Sequence, residues 1–200
     1  MELFEVSDNL QVPILKAYQW IKEAQDQSVA LPHAMNIASL NSDGKPSSRM
    51  VLLKRISNEG FIFFTDYEGN KGKQIIGFPH VALTFWWAKT NKQIRIEGVC
   101  SRVSNQENDD YFSSRPRGSQ ISANVSLQSS ELSSYDSLVE AAHIFEKQKK
   151  DQIIKRPSRW GGFIVQPKSI EFWIDQNNRL HKRELFKLIN SEWRISYLSP

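Results

Sequence analysis

Short apolar runs separated by turn residues recur from residue 34 to the C-terminus of this 200-residue chain. Runs of this length, bounded by Gly, Asn, Asp and Pro, are typical of β-strands. Because the strands follow one another through short turns, we expect an antiparallel barrel that closes on itself and leaves few exposed edges. The predicted strands cover residues 34–40, 47–56, 61–65, 81–88, 92–104, 162–166, 170–175, 183–189 and 193–198.

A second apolar period, that of an α-helix, occurs between and before these strands. Ile14, Tyr18, Ile21 and Ala24 share one face of a helix predicted over residues 13–27. Further helices are predicted at 71–78, 106–114 and 134–150, and the serine-rich stretch 126–137 is expected to be a loop. We therefore predict a β-rich α+β fold in one domain over residues 1–200, with residues 1–30 as an N-terminal helical extension.

Composition narrows the classes of function. The net charge of +4 is spread along the chain, which favours a small anionic ligand over nucleic acid. No apolar run approaches the roughly 20 residues of a membrane helix, and no secretory signal is recognisable, so we expect no membrane partner. Cys100 is the only cysteine, which excludes an intrachain disulfide and favours a reducing, cytoplasmic location. The four histidines are too scattered to predict a metal site.

Residues 111–120 combine arginines, hydroxyl groups and a glycine around Pro116. Proline fixes the turn, and glycine lets the backbone come close to a ligand. Arg115 and Arg117 offer planar forks of donors that match phosphate oxygens, and the hydroxyls of Tyr111 and Ser119 can complete the shell. The pattern indicates a pocket for a small phosphorylated molecule. A helix followed by a surface turn with solvated arginines is the alternative.

Cations also occur in two predicted strands. Alternation places Arg49 and Lys54 on opposite faces of an apolar strand, and an inward-facing cation needs a counter-charge such as a bound phosphate. If the chain is extended from Arg179, then Arg179, His181 and Arg183 share a face and bind an anion beside a histidine that titrates near neutral pH. Solvated charges on an edge strand and a basic hairpin tip are the respective alternatives.

Together these segments resemble one family, the pyridoxine (pyridoxamine) 5′-phosphate oxidases, which are FMN enzymes that make pyridoxal 5′-phosphate. The resemblance runs from about Pro32 to Pro200. It is carried, in order and at the family's spacing, by Arg-Met-Val-Leu-Leu-Lys, Tyr-Phe-x-Ser-Arg-Pro-Arg-x-Ser-Gln-Ile, Val-Ser-x-Gln-Ser-Ser, Trp-Gly-Gly-Phe, and Ile-Glu-Phe-Trp followed by Arg-Leu-His-x-Arg.

The resemblance implies an antiparallel FMN-binding split β-barrel with surrounding helices, assembled as a homodimer with two FMN sites at the subunit interface. The implied FMN contacts are Arg49, Met50, Val51, Leu52, Leu53, Lys54, Phe64, Thr65, Asn70, Lys71, Gln93, Gln128, Ser129, Trp173 and Arg183. The implied substrate contacts are Lys54, Tyr111, Arg115, Ser119, Arg179, Leu180 and His181. Of these, Arg179 and His181 are the implied catalytic residues.

The reaction that the resemblance implies is oxidation at the 4′ carbon of pyridoxine 5′-phosphate or pyridoxamine 5′-phosphate. Hydride passes to flavin N5, and O2 then reoxidises the flavin and releases H2O2; the amine substrate also yields NH3. The chain departs from the family pattern at three positions. Asn70 stands where an arginine is usual, Leu31 where an acidic residue is common, and Asn124 where a tryptophan is frequent.

Two other hypotheses stay open from the sequence. A sister flavin oxidase of the phenazine-pathway type would share the flavin strands and the Arg-Leu-His segment, although the arginines of residues 115–117 favour a phosphorylated pyridine. A non-enzymatic basic β-barrel would instead hold nucleic acid or pyridoxal phosphate, with Trp86 and Trp87 as stacking platforms. Paired aromatics of this kind are more often part of a core.

Overall fold

A computed structural model describes residues 3–150 and 152–200 of the chain. Its strands are β1 (Glu5–Val6), β2 (Ala34–Leu40), β3 (Pro46–Leu52), β4 (Arg55–Ser57), β5 (Gly60–Asp66), β6 (His80–Trp87), β7 (Lys92–Arg102), β8 (Trp160–Ile174), β9 (Lys182–Ile189) and β10 (Glu192–Tyr197). Its helices are α1 (Val12–Asp26), α2 (Asn70–Gly77), α3 (Asn105–Ser114), α4 (Arg117–Val125) and α5 (Tyr135–Gln148), with a 3-10 turn at Asn177–Arg179.

The strands form one curled sheet in the order β1-β4-β5-β8-β7-β6-β2-β3, with the β9–β10 hairpin attached to β8. The pairing order is an open path, so the expectation of a closed barrel was wrong, although antiparallel pairing was right for every described pair except β1–β4. β3 at one end of the path and β4 near the other both belong to the predicted strand 47–56, which changes partner midway from β2 to β5. The N–H of Leu53 donates to the carbonyl of His33, and that of Lys54 donates to the carbonyl of Ile62.

β8 is one continuous strand where the sequence predicts two. Glu97 of β7 faces Ser169, whereas Gly98 faces Pro167, which leaves Lys168 as an extra residue in a β-bulge. The extra residue reverses the alternation of faces along β8. Both the Phe163–Val165 side of the bulge and the Ile170–Phe172 side therefore place their apolar residues in the core.

α1 closes one side of the core, as its apolar spacing predicts. Ile14, Ala17, Ile21 and Ala24 are fully buried against the sheet, and the ring of Trp20 meets that of Phe172 edge to face, with the ring centroids 5.0 Å apart. At roughly 25 cal/mol per Å² of apolar area, such a face stabilises the fold by several kcal/mol. No helix among the described residues is long and apolar enough to span a membrane.

α4 is the helix that the sequence analysis missed. Pro116 and Gly118 suggest a turn, but Pro116 occupies the N-cap position, where its fixed φ is compatible with a helix start. α4 then buries Ile121 in a second apolar cluster with Phe112, Ile154 and Trp160. This cluster holds α3 and α4 against the outer face of the sheet.

Candidate active site

The first group of predicted site residues meets where β5 ends and α2 begins. The amino group of Lys71 donates to the hydroxyl of Thr65 and, at 3.1 Å, to Oε1 of Gln128. The Thr65 hydroxyl donates to the same Gln128 oxygen at 2.9 Å. Gly72 permits this tight arrangement, because a Cβ there would stand 2.3 Å from the carbonyl oxygen of Tyr67.

Arg49 on β3 adds a second cation to this group. Its guanidinium donates to the hydroxyls of Ser39 at 2.6 Å and Ser47 at 2.7 Å, and to Oε1 of Gln74 at 2.8 Å. Burial lowers the pKa of Arg49 and of Lys71. The pKa of Lys71 falls to about 8, first because the amino group is buried and second because Arg49 is close.

The two cations are not directly paired with any carboxylate among the residues that the structure describes. Neither Lys71 nor Arg49 forms an ion pair in residues 3–150 or 152–200. Asp66 is near, but its carboxylate pairs with Arg159 at 3.0 Å. The backbone N–H of Asn70, at the start of α2, donates to the Ser129 hydroxyl at 3.3 Å, and the Asn70 side chain is exposed. This set of donors fits a phosphate dianion, including that of FMN.

The second group surrounds a cavity of about 290 Å³ outside the same end of β5. Two cations, two aromatic rings and three carboxylates line it: Lys54, Arg55, Phe64, Tyr111, Glu5, Glu107 and Asp110. Of these charges, Arg55 and Glu107 pair with each other. The ring of Tyr111 stacks on that of Phe64, with centroids 3.9 Å apart and planes at 17°. The cavity therefore combines an aromatic wall, which suits a flat molecule, with charged groups of both signs.

Arg115 completes this second group and has an unsatisfied donor. Its guanidinium lies 4.4 Å from the ring centroid of Trp160, and its Nη1 is buried without a hydrogen-bond partner. Burial, followed by the charge of Arg115, lowers the pKa of Lys54. Ser119 is half-buried in the first turn of α4, near Arg115 in sequence, and its N–H donates to the carbonyl of Pro116. The open donor on Arg115 is the feature that an incoming oxyanion would satisfy.

Arg117 has a different role from Arg115. Its guanidinium donates to the carbonyls of Lys149 at 2.5 Å, Lys150 at 2.7 Å and Gln152 at 3.2 Å, just past the end of α5. The residue pattern alone made both arginines candidate phosphate ligands, whereas the family resemblance implied only Arg115. In the structure, Arg117 instead donates hydrogen bonds to backbone carbonyls that the end of a helix leaves without intrahelical partners.

The third group lies in a row across adjacent strands. Gln93 of β7 faces Trp173 of β8, and Trp173 faces Arg183 of β9, so their side chains share one face of the sheet. Trp86 faces Gln93 from β6 and extends the row, with its ring 5.8 Å from that of Trp173. Of the paired tryptophans, Trp87 belongs to the core as expected, whereas Trp86 is 51% exposed. Successive residues of a strand point to opposite faces, so the sequence alone could have shown that only one of the two tryptophans lies in the core.

Glu171 anchors this row and was missed from the sequence. Its side chain is buried, accepts from Nε of Arg183 at 2.7 Å, and accepts from Nη1 of Arg95 at 2.9 Å. The hydrogen bond from Arg183 to Glu171 raises the pKa of Arg183. Glu171 lies two residues before Trp173 and therefore on the same face of the strand, and this spacing could have identified it from the sequence.

The predicted shared face of Arg179, His181 and Arg183 was wrong for Arg179. β9 begins only at Lys182, and Asn178 and Arg179 have φ of 55° and 61°, so the chain turns there in the left-handed region. Nδ1 of His181 lies 3.0 Å from Asp175, and its ring is 4.6 Å from that of Trp173. Arg179 and Leu180 are exposed beside it.

The β3 residues fall on two faces, as alternation predicts. Leu53, just past the end of β3, is fully buried in the core and Val51 packs against the core, so neither side chain is free for a ligand. Met50 is 60% exposed and Leu52 is half-buried. In the part of the chain that the structure describes, no hydrogen bond or ion pair joins the Lys71 and Arg115 groups to the Gln93–Trp173–Arg183 row.

The curled sheet and its outer helices define a split-barrel protein. A solved structure of a pyridoxamine 5′-phosphate oxidase-related, FMN binding protein from Nostoc punctiforme shares this fold, with a TM-score of 0.78 and 14% identity over 95% of this chain and 99% of that one. PhzG from Burkholderia lata, solved with tetrahydrophenazine-1-carboxylic acid, is 28% identical with a TM-score of 0.90 over 96% and 95% of the two chains.

Two family models cover most of the sequence. The one described as "Pyridoxamine 5′-phosphate oxidase" matches residues 21–149, and "Pyridoxine 5′-phosphate oxidase C-terminal dimerisation region" matches residues 160–200. The pyridoxine/pyridoxamine 5′-phosphate oxidase of a Cyanothece species is 40% identical over 94% of this chain and 88% of its own. That of Actinobacillus pleuropneumoniae is 44% identical over 94% and 89%. The chain belongs to the pyridoxamine 5′-phosphate oxidase family of oxidoreductases.

Proposed function

We propose that this protein is an FMN-dependent oxidase that converts pyridoxine 5′-phosphate and pyridoxamine 5′-phosphate to pyridoxal 5′-phosphate with O2 as the acceptor. One observation carries the proposal. Two separate cationic groups, one at Lys71 and Arg49 and one at Lys54 and Arg115, form no ion pair with any residue that the structure describes. A flavin phosphate would pair with the first group, and a substrate phosphate would pair with the second.

In this proposal the residues around Lys71 hold the phosphate of FMN. The Lys71 and Arg49 cations supply charge, while Thr65, Gln128, Ser129 and the N–H groups that start α2 supply hydrogen bonds. Met50, Val51, Leu52 and Leu53 contribute backbone and apolar contacts along β3. When bound, FMN supplies the redox chemistry by accepting a hydride from the substrate and passing electrons to O2.

The chain's own residues bind and orient the substrate. Arg115 and Lys54 bind the substrate phosphate, with Tyr111 and Ser119 as hydroxyl donors, so the pyridine ring is held at a fixed distance from its anchor. His181, with Nδ1 beside Asp175, and Arg179 approach the reacting end, where they bind polar substituents and exclude water. Leu180 offers an exposed apolar contact between them.

The proposed enzyme is a homodimer in which the partner completes each site. Thr65 faces Gly161 at one end of β8, and Gln93 faces Trp173 at the other, about 40 Å further along the strand at roughly 3.3 Å per residue. The two groups of flavin residues therefore lie far apart within one chain. A second copy that brings its Gln93–Trp173–Arg183 row to the Lys71 group would join them, in keeping with a C-terminal dimerisation region at residues 160–200.

A second candidate substrate follows from the similarity to PhzG, whose structure holds a tricyclic carboxylic acid. An oxidase of that type needs one carboxylate contact and room for three rings. The buried, unsatisfied Nη1 of Arg115 beside Lys54 favours a phosphate, because a dianion can accept from both cations at once.

An oxygen-consumption assay of the FMN-loaded protein tests the proposal. Pyridoxine 5′-phosphate and pyridoxamine 5′-phosphate are compared with the unphosphorylated vitamers and with a reduced phenazine carboxylate. We expect O2 uptake, H2O2 and pyridoxal 5′-phosphate from the two phosphorylated substrates, and NH3 from the amine alone. Equal rates with unphosphorylated pyridoxine would contradict the substrate-phosphate assignment, and turnover of the phenazine compound alone would favour the second candidate.

A further inference from the structure

Arg159 connects the two chain segments that carry the Lys71 group. Its Nη2 donates to the carbonyls of Ala123 at 2.8 Å, Asn124 at 3.0 Å and Ser126 at 3.0 Å. Its Nε lies 3.0 Å from Oδ2 of Asp66, an ion pair whose alignment falls short of a hydrogen bond. We call this arrangement the Arg159 bracket. The Arg159 and Asp66 side chains are 14% and 5% exposed, so solvent screens their interaction little.

The bracket sits directly behind the phosphate-site residues. Asp66 follows Thr65 at the end of β5, and Ser126 begins the loop that carries Gln128 and Ser129. One guanidinium therefore ties the strand end to the loop. Without it, three carbonyls at the end of α4 lose their shared donor, and the Thr65–Gln128 hydrogen bond is left to hold the loop to β5.

Asn124 contributes a second polar contact on the same side. Its Nδ2 donates to the carbonyl of Gln120 at 2.9 Å and to that of Lys155 at 3.2 Å. The last turn of α4 is thus joined by hydrogen bonds to the segment that leads into Arg159. The loop position is fixed by polar groups, which have directional requirements, and less by apolar packing.

We propose that Arg159 is a positioning residue for the flavin-phosphate site, holding Gln128 and Ser129 against Lys71 and keeping the Asp66 carboxylate away from Lys71. The inference rests on the proposed function, since it assumes that the Lys71 group binds the FMN phosphate. A buried carboxylate needs a cation. If Arg159 is removed, Lys71 is the nearby cation that Asp66 would recruit, and the phosphate would then compete with Asp66.

Two variants test the bracket without leaving an unpaired buried charge. Arg159→Lys keeps a cation beside Asp66 but replaces the planar fork by one amino group. Asp66→Asn/Arg159→Met removes both charges together. Arg156→Met is the matched control: Arg156 pairs with Asp109 at 2.7 Å and donates to the carbonyl of Trp160 at 2.8 Å, with a side chain 9% exposed, but it anchors α3 instead of the loop.

FMN and riboflavin are each titrated into apoprotein by quenching of flavin fluorescence. Both Arg159 variants should weaken FMN binding about tenfold, the loss of one charge-assisted hydrogen bond, and change riboflavin binding by less than about twofold. Hydrogen exchange of the apoprotein should also quicken in residues 126–130 and at the Asn70 amide. Arg156→Met should leave the preference for FMN over riboflavin and this exchange unchanged.

Three outcomes would overturn the inference. The first is an unchanged preference for FMN in both Arg159 variants. The second is an equal loss for FMN and riboflavin, which would mean a general structural role. The third is unchanged exchange in residues 126–130. A parent protein that binds FMN no better than riboflavin would instead overturn the proposed phosphate site itself, and the two failures are therefore distinguishable.

Discussion

The carboxylate of Glu171 fixes the guanidinium of Arg183: Oε1 of Glu171 accepts from Nε of Arg183 at 2.7 Å, on the exposed face that also carries Trp173. The carbonyl of Ser199 accepts from Nη1 of Arg183 at 2.9 Å. The side chain of Arg183 is therefore held in one orientation, with Nη2 left for a ligand. A long, flexible cation that is oriented in this way loses little entropy when it binds.

The first prediction concerns Glu171. Glu171→Gln should weaken FMN binding about tenfold, because a neutral amide holds Arg183 and Arg95 less strongly than a carboxylate does. Glu97→Gln is the control, since Glu97 pairs with the same Arg95 at 3.6 Å but is 65% exposed. Flavin titration of both variants is the measurement. Similar FMN affinities in the two variants would show that Glu171 does not orient the flavin contact.

The second prediction separates the two arginines of the 115–117 segment. Arg115→Ala should raise KM for pyridoxine 5′-phosphate roughly 10- to 150-fold, because a charged hydrogen bond typically contributes about 1.5–3 kcal/mol. Arg117→Ala should lower the melting temperature and leave KM within about twofold, because Arg117 donates only to carbonyls past the end of α5. Steady-state kinetics and thermal denaturation of both variants provide the comparison. The assignment fails if Arg117→Ala has the larger effect on KM.

The third prediction concerns Arg179 at the end of the 3-10 turn and His181 just after it. Arg179→Ala and His181→Ala should each lower kcat/KM about 10- to 100-fold through loss of substrate orientation, while the flavin content stays the same. Lys182→Ala is the control, because Lys182 is exposed and pairs with Glu184 at 3.5 Å. Oxidation rates and the flavin absorbance are measured on the same samples. Full activity in both variants would refute a catalytic role.

The fourth prediction follows from the pKa of Lys71, which is about 8 in the free protein. A bound dianion favours the ammonium form and raises this pKa, so FMN binding above about pH 8 must take up a proton. FMN affinity should therefore fall by up to tenfold per pH unit between about pH 8 and the higher pKa of the complex, and riboflavin affinity should not. Titrations at about pH 7 and pH 9 decide this. The same lowered pKa destabilises the apoprotein below about pH 8, and that cost disappears as the pH rises towards the unfolded value of 10.5.

The fifth prediction uses the exposed side chain at the start of α2. Asn70→Arg should tighten FMN binding about fivefold, because an arginine adds a forked, charge-assisted contact to a dianion, and solvent screening at this exposed position limits the gain. Riboflavin, which has no phosphate, is the control ligand. An equal gain for riboflavin, or no gain for FMN, would mean that position 70 does not face the phosphate.

The sequence predicted the bounds of β2 correctly, because apolar alternation is a local property, whereas the ligand contacts that it named for the site stay predictions. It could not show that Arg117 donates hydrogen bonds to carbonyls past the end of α5, since these carbonyls lie more than 30 residues away along the chain. For the same reason Glu171 and Arg159 were missed, as their contacts depend on strand register and on a loop position. α4 was missed because Pro116 and Gly118 favour a turn locally, and the burial of Ile121 outweighs that preference.

Because of the bulge at Lys168, which residues of β8 face the core depends more on the number of residues in the strand than on their types. Core residues on both sides of the bulge point inward only because one extra residue separates them. A single insertion or deletion on either side of the bulge, within residues 162–166 or 169–173, would turn Phe172 outward and Trp173 and Glu171 inward unless the bulge moved or disappeared with it. Insertions and deletions in this part of the gene should be eliminated by selection more strictly than substitutions, most of which leave the faces of the strand where they are.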